Sequence, residues 1–331
     1  VTGDAARSSD LIIISAGDSG YFPLLADAVM SVRVLDAAVP IGVLDLGLQP
    51  EQVDRLAALG ARVVKPGWDV EFPGRDRMPE TFKAQVARPF LPRHFPGYEM
   101  YFWLDADTWL QEWRAVELYR AAAGRDRLAI TVEIDRAYKR HYKRPKFFGL
   151  TLPWKTYRTA FGWRVADRLG RNPFANVGVF ALHREAPHWE AWQRVMTRVL
   201  QRTQFFYVEQ IALNYAIFAE GLPANFLPAY CNWAVGDAAP AFDAARGLFV
   251  EPYAPHEVIG VMHLAGTDQK NKMFRLDCLE GGTVETLLRF SESRALCGRA
   301  ASASCGASVP DGGADGSMPR RRSPSVPVPT R

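Results

Sequence analysis

Tyr101-Phe102-Trp103-Leu104-Asp105-Ala106-Asp107-Thr108 is an apolar run that stops abruptly on two carboxylates one residue apart. Read as a buried strand, it places residues i and i+2 on the same side, so Asp105 and Asp107 present two oxygen ligands together at a strand's C-terminal edge. In open α/β sheets that edge is where ligands bind. Two carboxylates left there repel each other unless a proton or a cation joins them. A divalent metal, Mn²⁺ or Mg²⁺, holding the phosphates of a nucleotide substrate satisfies the pair. A solvated Asp pair in a turn is the plainer alternative.

The sequence before this stretch alternates strands and helices. Leu11 to Ile14 is a β-branched run that reads as a buried strand. The loop Ser15-Ala16-Gly17-Asp18-Ser19-Gly20 follows, then an apolar helix over 22–35. Strands are expected over 41–46, 62–64 and 100–104. Helices are expected over 50–59, closed by Gly60, and over 80–91, stopped by Pro92. That order implies right-handed crossovers and a mostly parallel sheet. Past Asp107 the rhythm loosens. Strands are expected over 128–132, 177–182 and 258–263, and helices over 186–201 and 208–219. Trp189, Trp192, Val195 and Val199 fall on one stripe of the former helix and read as core.

The chain has 331 residues, of which 48% are hydrophobic. That suffices for one sizeable α/β domain. The formal net charge is +4. Most of it lies beyond Ser291, where Arg294, Arg299, Arg320, Arg321, Arg322 and Arg331 outnumber Glu292, Asp311 and Asp315. The body is therefore near neutral, and nucleic acid is not an expected partner. Cys231, Cys278, Cys297 and Cys305 form no C-x-x-C pair, which fits a reducing compartment rather than a zinc site or a disulfide framework. No apolar run approaches the roughly 20 residues that span a bilayer. We expect a polar, disordered lead over 1–9, one domain over 10–290 and a low-complexity disordered tail over 291–331.

Four further features carry chemistry. Asp18 and Tyr21 follow the first strand with Ala16; a base could stack on Tyr21 and be read by Asp18, or Asp18 could simply cap the helix. Lys83 and Arg88 precede the Asp doublet on a helix; they could reach phosphate, or be ordinary helix charges. Asn176-Val177-Gly178-Val179-Phe180 opens a strand with an amide, and Gly178 either lets a sugar approach the backbone or marks a bulge. His263-Leu264-Ala265-Gly266, with Lys270 and Lys272 downstream, offers a third metal ligand at a strand end and a loop suited to pyrophosphate, or a structural His.

Together these residues resemble the retaining GT-A glycosyltransferases of family 8, which include glycogenin, galactinol synthase and bacterial lipopolysaccharide glycosyltransferases. The resemblance runs from about Leu11 to Phe274. The family's Arg-containing helix before "YLDAD" matches Arg88 ahead of Phe102-Trp103-Leu104-Asp105-Ala106-Asp107. Its "N-[SA]-G-[VL]" strand matches Asn176-Val177-Gly178-Val179. Its "D-Q-x-x-L-N" helix matches Glu209-Gln210-Ile211-Ala212-Leu213-Asn214. Its "H-[FY]-x-G-x-x-K" matches His263-Leu264-Ala265-Gly266. The chain also departs from the pattern. Glu209 stands for Asp, Val177 for a small residue, and Gln269 holds the position of the terminal Lys, with Lys270 one place on.

The resemblance implies a GT-A fold: a single Rossmann-like, mixed and mostly parallel sheet flanked by helices. It implies transfer of a hexosyl group from a nucleoside diphosphate sugar, UDP-glucose or UDP-galactose above others, to an acceptor hydroxyl on a carbohydrate, glycolipid, lipopolysaccharide or protein. Asp105, Asp107 and His263 would be metal ligands. Ala16, Asp18, Tyr21, Lys83, Arg88, Asn176, Gly178, Gly266, Lys270 and Lys272 would line the donor site. Gln210 would face the donor sugar, with Asn214 on the same helix face, and Glu209 is the alternative nucleophile. The basic and aromatic segment 136–148 could meet an anionic glycolipid or a membrane surface, giving a cytoplasmic protein with peripheral membrane contact. Two other classes compete: a phosphatase of haloacid dehalogenase type, which also uses Asp-x-Asp but on its first strand, and a non-catalytic nucleotide-sugar-binding protein of the same fold.

Overall fold

The computed structural model describes residues 10–138 and 152–305. The expected lead over 1–9, residues 139–148 of the basic segment and residues 306–331 lie outside the described residues. The strands, in chain order, are β1 (Leu11–Gly17), β2 (Ile41–Asp45), β3 (Ala61–Val64), β4 (Met100–Leu104), β5 (Thr108–Leu110), β6 (Leu128–Val132) and β7 (Ala175–His183). They continue with β8 (Ala224–Leu227), β9 (Trp233–Ala234), β10 (Ala241–Asp243), β11 (Leu248–Val250), β12 (Val261–His263), β13 (Met273–Asp277) and β14 (Thr283–Leu287).

Seven strands form the main sheet in the order β3-β2-β1-β4-β7-β6-β8. The first four pair in parallel, as the alternation of strands and helices requires. β1 is buried along its whole length because helices cover both faces, which is why it reads as an unbroken aliphatic run rather than an alternating one. β7 inserts antiparallel between β4 and β6. The result is a mixed α/β sheet flanked by helices, of GT-A type. Helix Phe22–Leu35 opens with Pro23 in its first turn and stops at Asp36, whose carboxylate takes the N–H groups of Ala38 and Val39.

Two expectations change. The helix expected over 80–91 is broken into short turns, with Lys83–Ala87 helical, Arg88–Phe90 a 3₁₀ turn and Leu91–His94 a further helical turn. Pro89 has no N–H to continue the helix past Arg88. Pro92 does not stop it but opens the next turn, where a missing N–H costs nothing. The break carries Arg88 inward, and it is buried. The second change concerns the boundary expected at Ser291. A helix runs from Phe290 to Cys305, Ser293 is buried, and Leu296 and Cys297 pack against a core containing Trp109, Trp233 and Phe274. Small, polar composition hid a helix that uses only a few apolar anchors.

The core divides along the main sheet. One face buries Trp189, Trp192, Val195 and Val199, the stripe expected from spacing. The other packs Leu25, Val29 and Val32 against β1 and β2. A third cluster surrounds the small sheet β5-β12-β9. Among the described residues, no helix is long and apolar enough to cross a membrane.

Candidate metal and donor site

β4 ends at Leu104, and the doublet follows in a turn. Asp105 and Asp107 therefore converge through turn geometry, not through the extended backbone that the i, i+2 argument supposed. The turn is pinned by its own bonds. Asp105 N–H donates to the Gly178 carbonyl at 2.8 Å, and the Thr108 hydroxyl donates to the Asp105 carbonyl at 2.6 Å. The chain then reverses into β5, which pairs antiparallel with β12 so that His263 sits opposite Thr108. Leu264 N–H donates to the Asp107 carbonyl at 2.8 Å and fixes that register. Three residues of hairpin-like pairing thus carry His263, 156 positions on from Asp107 in SEQ numbering, to the end of β4.

One ligand atom from each of Asp105, Asp107 and His263 lies within 4.8 Å of the others. Nε2 of His263 is 3.6 Å from Asp107 Oδ1. Its Nδ1 is 2.8 Å from Asn232 Oδ1. Gly178 is shaped around this group. A Cβ there would fall 2.6 Å from His263 Cε1 and 3.0 Å from Asp105 Oδ2. The two ligand side chains thus approach the Gly178 backbone closely. The bulge alternative holds as well: pairing between β6 and β7 slips between Ile130 and Thr131, opposite Val177–Val179. The donor set fits a hard divalent cation, with two carboxylates, an imidazole whose second nitrogen is already engaged, and no Cβ crowding the group at 178.

Two cations hold the carboxylates. Arg88 Nη2 lies 2.5 Å from Asp105 Oδ1, and Nη1 lies 3.0 Å from Glu209 Oε1. Trp103 supports the same spot: its indole N–H donates to Asp105 Oδ1 at 2.8 Å and its ring lies under the guanidinium at 4.5 Å. Lys270 Nζ lies 3.0 Å from Asp107 Oδ2 and donates to the Tyr21 hydroxyl at 2.6 Å. Burial raises the carboxyl of Asp105 above its ordinary value, with Arg88 opposing. Burial would raise Asp107 too, but His263 and Lys270 outweigh it and hold the group at about 2. Burial likewise raises Glu209, against Arg88.

The remaining expected site residues do not all converge on this centre. Tyr21 joins the site through Lys270 and is half-exposed. Asp18 beside it accepts the Tyr21 N–H at 2.8 Å, as a capping residue does, and Ala16 is buried within β1. Gly266, at φ +96°, begins the loop that delivers Lys270, a backbone angle that favours glycine. Lys83 is held elsewhere, by Glu80 at 2.7 Å and over the Trp68 ring. Lys272 lies over Phe274. Asn176 spends its amide inside the protein, on Glu133, the Gly178 N–H and Asn232. Asn214 bonds both backbone groups of Ala175, so its partner is β7 rather than a sugar. Gln210 is buried on the same helix, and its side chain meets no hydrogen-bond partner among the described residues, whereas Glu209 Oε2 is buried without one.

Of the basic segment, Arg136 bonds Glu251 and the Ala254 carbonyl, and Ala137 and Tyr138 are buried. Arg136 itself stays exposed, and the rest of the segment, 139–148, lies outside the described residues. Sequence reasoning missed Asn232 and Trp103. The signal for Trp103 was its i, i+2 relation to Asp105; for Asn232 it was an amide placed between Cys231 and Trp233.

No protein-family model and no curated protein matches the chain. Solved structures do. The apo structure of the bifunctional glycosyltransferase WbbM aligns at TM-score 0.50 and 14% identity, over 80% of this chain and 47% of that one. The galactosyltransferase LgtC, in complex with donor and acceptor sugar analogs, aligns at TM-score 0.49 and 15% identity, over 87% of this chain and 95% of LgtC. The glycosyltransferase GlyE of Streptococcus pneumoniae TIGR4 aligns at TM-score 0.48 and 15% identity, over 88% of this chain and 63% of GlyE. The likeness to WbbM is one of fold: this chain has the fold of a glycosyltransferase and spans about half of that protein.

Proposed function

We propose that this chain is a metal-dependent retaining glycosyltransferase. It moves a hexosyl group from a nucleoside diphosphate sugar, UDP-glucose or UDP-galactose, to an acceptor hydroxyl on a carbohydrate, glycolipid or protein. The carrying observation is the convergence of Asp105, Asp107 and His263 at the C-terminal edge of β4, within a glycosyltransferase fold. Asp105, Asp107 and His263 would hold Mn²⁺ or Mg²⁺, which neutralises charge on the diphosphate leaving group. Lys270 adds a second positive charge to the same place. Tyr21 would carry the base of the nucleotide, a role supported by its half-exposed ring and its bond to Lys270.

Gln210 is the group left to face the sugar, since its amide is unspent among the described residues. Glu209 is buried and tied to Arg88 at 3.0 Å, which leaves it a poor nucleophile. A front-face path fits better, in which the departing diphosphate accepts the proton of the incoming hydroxyl. The phosphatase reading loses ground because the doublet follows β4, beside an antiparallel strand, and not the first strand. A cytoplasmic location is consistent with the free thiols of Cys231, Cys278 and Cys297.

A thermal-shift series of nucleotide sugars, each with and without Mn²⁺, tests the reading. UDP-hexoses should raise the melting temperature by several degrees only when Mn²⁺ is present, by mass action on the folded state. Equal shifts with and without metal, or none with any nucleotide sugar, would overturn it. Metal-dependent release of UDP from the stabilising sugar separates an enzyme from a binding protein.

A further inference from the structure

We infer that Asn232 is a positioning residue that fixes the tautomer of His263, and so decides which ring nitrogen faces the metal site. The argument begins at a main-chain N–H, whose role as donor is unambiguous. Gly178 N–H points at the Asn176 amide at 2.9 Å, so the Asn176 atom it meets is the oxygen. Asn176 Nδ2 accordingly turns the other way, to Glu133 Oε1 at 2.8 Å, a carboxylate that accepts. The Asn232 atom lying 3.1 Å from the Asn176 oxygen is then its nitrogen, because two oxygens make no hydrogen bond. Asn232 must therefore present its oxygen to His263 Nδ1, at 2.8 Å.

An amide oxygen can only accept, so Nδ1 carries the proton. In the neutral ring Nε2 then keeps the lone pair, on the side of Asp107. A neutral imidazole with Nδ1–H donated to an oxygen is the form that coordinates a metal through Nε2. Four residues, Glu133, Asn176, Asn232 and His263, thus form a chain of fixed polarity that ends at the ligand atom. Asn232 is fully buried, and its side-chain amide is engaged at both ends, Nδ2 on Asn176 Oδ1 and Oδ1 on His263 Nδ1, so turning it over would break both bonds. A reversed amide would present N–H to Nδ1, which would then have to accept, and the ring hydrogen of the neutral imidazole would move to Nε2.

The inference rests on Asp105, Asp107 and His263 being a metal site, and its test separates the two claims. Mn²⁺ affinity of the full chain, without nucleotide, is measured by electron paramagnetic resonance titration for wild type, Asn232→Leu and Asn232→Asp. Asn232→Leu should weaken binding about 10- to 100-fold. Asn232→Asp keeps an acceptor for Nδ1 although it sets an oxygen against Asn176 Oδ1, and should recover part of the loss, binding at least about threefold more tightly than Asn232→Leu. A fold defect alone would not be repaired by a buried carboxylate. Long-range ¹H–¹⁵N spectra of wild-type imidazoles near pH 8, with His263→Gln to assign the signal, read the tautomer directly and need no variant of Asn232 to fold. Nδ1–H supports the inference; Nε2–H overturns it. Wild-type Mn²⁺ affinity in Asn232→Leu also overturns it. Absence of Mn²⁺ binding by the wild type overturns the metal site itself, and the positioning role with it.

Discussion

Gly178 gives its N–H to Asn176, its carbonyl to the Asp105 N–H, and the space of its missing Cβ to the His263 ring. Gly178→Ala should therefore act on the ligands more than on the fold. Overpacking costs about 1–3 kcal/mol, and displacement of His263 and Asp105 should lower Mn²⁺ affinity about tenfold or more. Calorimetric titration with Mn²⁺ beside a melting curve checks both; a stable variant with unchanged affinity would show that the ring yields without cost. At this scale the sequence exposed the carboxylates and His263, because chemistry-bearing residues at strand ends stand out in apolar surroundings. It did not expose Asn232 or the inward turn of Arg88. Their partners lie far away in the chain, and only packing decides which exposed-looking amide or guanidinium is buried.

Helix His188–Leu200 illustrates the scale of the element. Its start is set by Pro187 and its inner face by the Trp and Val stripe, both readable from spacing. His188 is fully buried and shares a hydrogen bond with the Pro223 carbonyl at 2.9 Å, which ties the helix start to the turn before β8. Burial pushes its imidazole from 6.5 down to about 4. Between those values the unfolded chain binds a proton that the folded chain refuses, so stability falls as pH drops from about 6.5 to about 4. The loss is on the order of 3 kcal/mol. Denaturant unfolding across that range should show a flatter pH dependence in His188→Gln than in wild type; an unchanged slope would locate the proton uptake elsewhere. The long strands and helices were legible because each spans several periods. β5 and β9 were not, since two or three residues have no period; β12 was expected as part of a strand over 258–263, but its pairing with β5, which brings His263 to Asp107, was not.

For the whole molecule, the order of strands and helices over the first hundred residues was enough to give a parallel sheet of β1 to β4. The antiparallel insertion of β7 depends on the pairing of β4 with a strand some seventy residues on, which local sequence does not encode. The C-terminal helix tests how far the folded body extends. Deleting residues from Ser291 onward removes buried Ser293 and the packing of Leu296 and Cys297, and should lower the melting temperature on the order of 5 °C. An unchanged melting temperature would mean that the helix adds nothing to the third core.

The central claim is that the Asp doublet holds a metal for nucleotide-sugar chemistry. The most direct measurement is Mn²⁺-dependent release of UDP from UDP-glucose and UDP-galactose by wild type and by Asp107→Asn, which preserves side-chain size and an acceptor for Lys270. We predict turnover by the wild type that disappears on chelation, and a fall of about 100-fold or more in the variant with its melting temperature nearly unchanged. Turnover by Asp107→Asn at the wild-type rate in the same Mn²⁺, or wild-type turnover indifferent to chelation, would contradict the account.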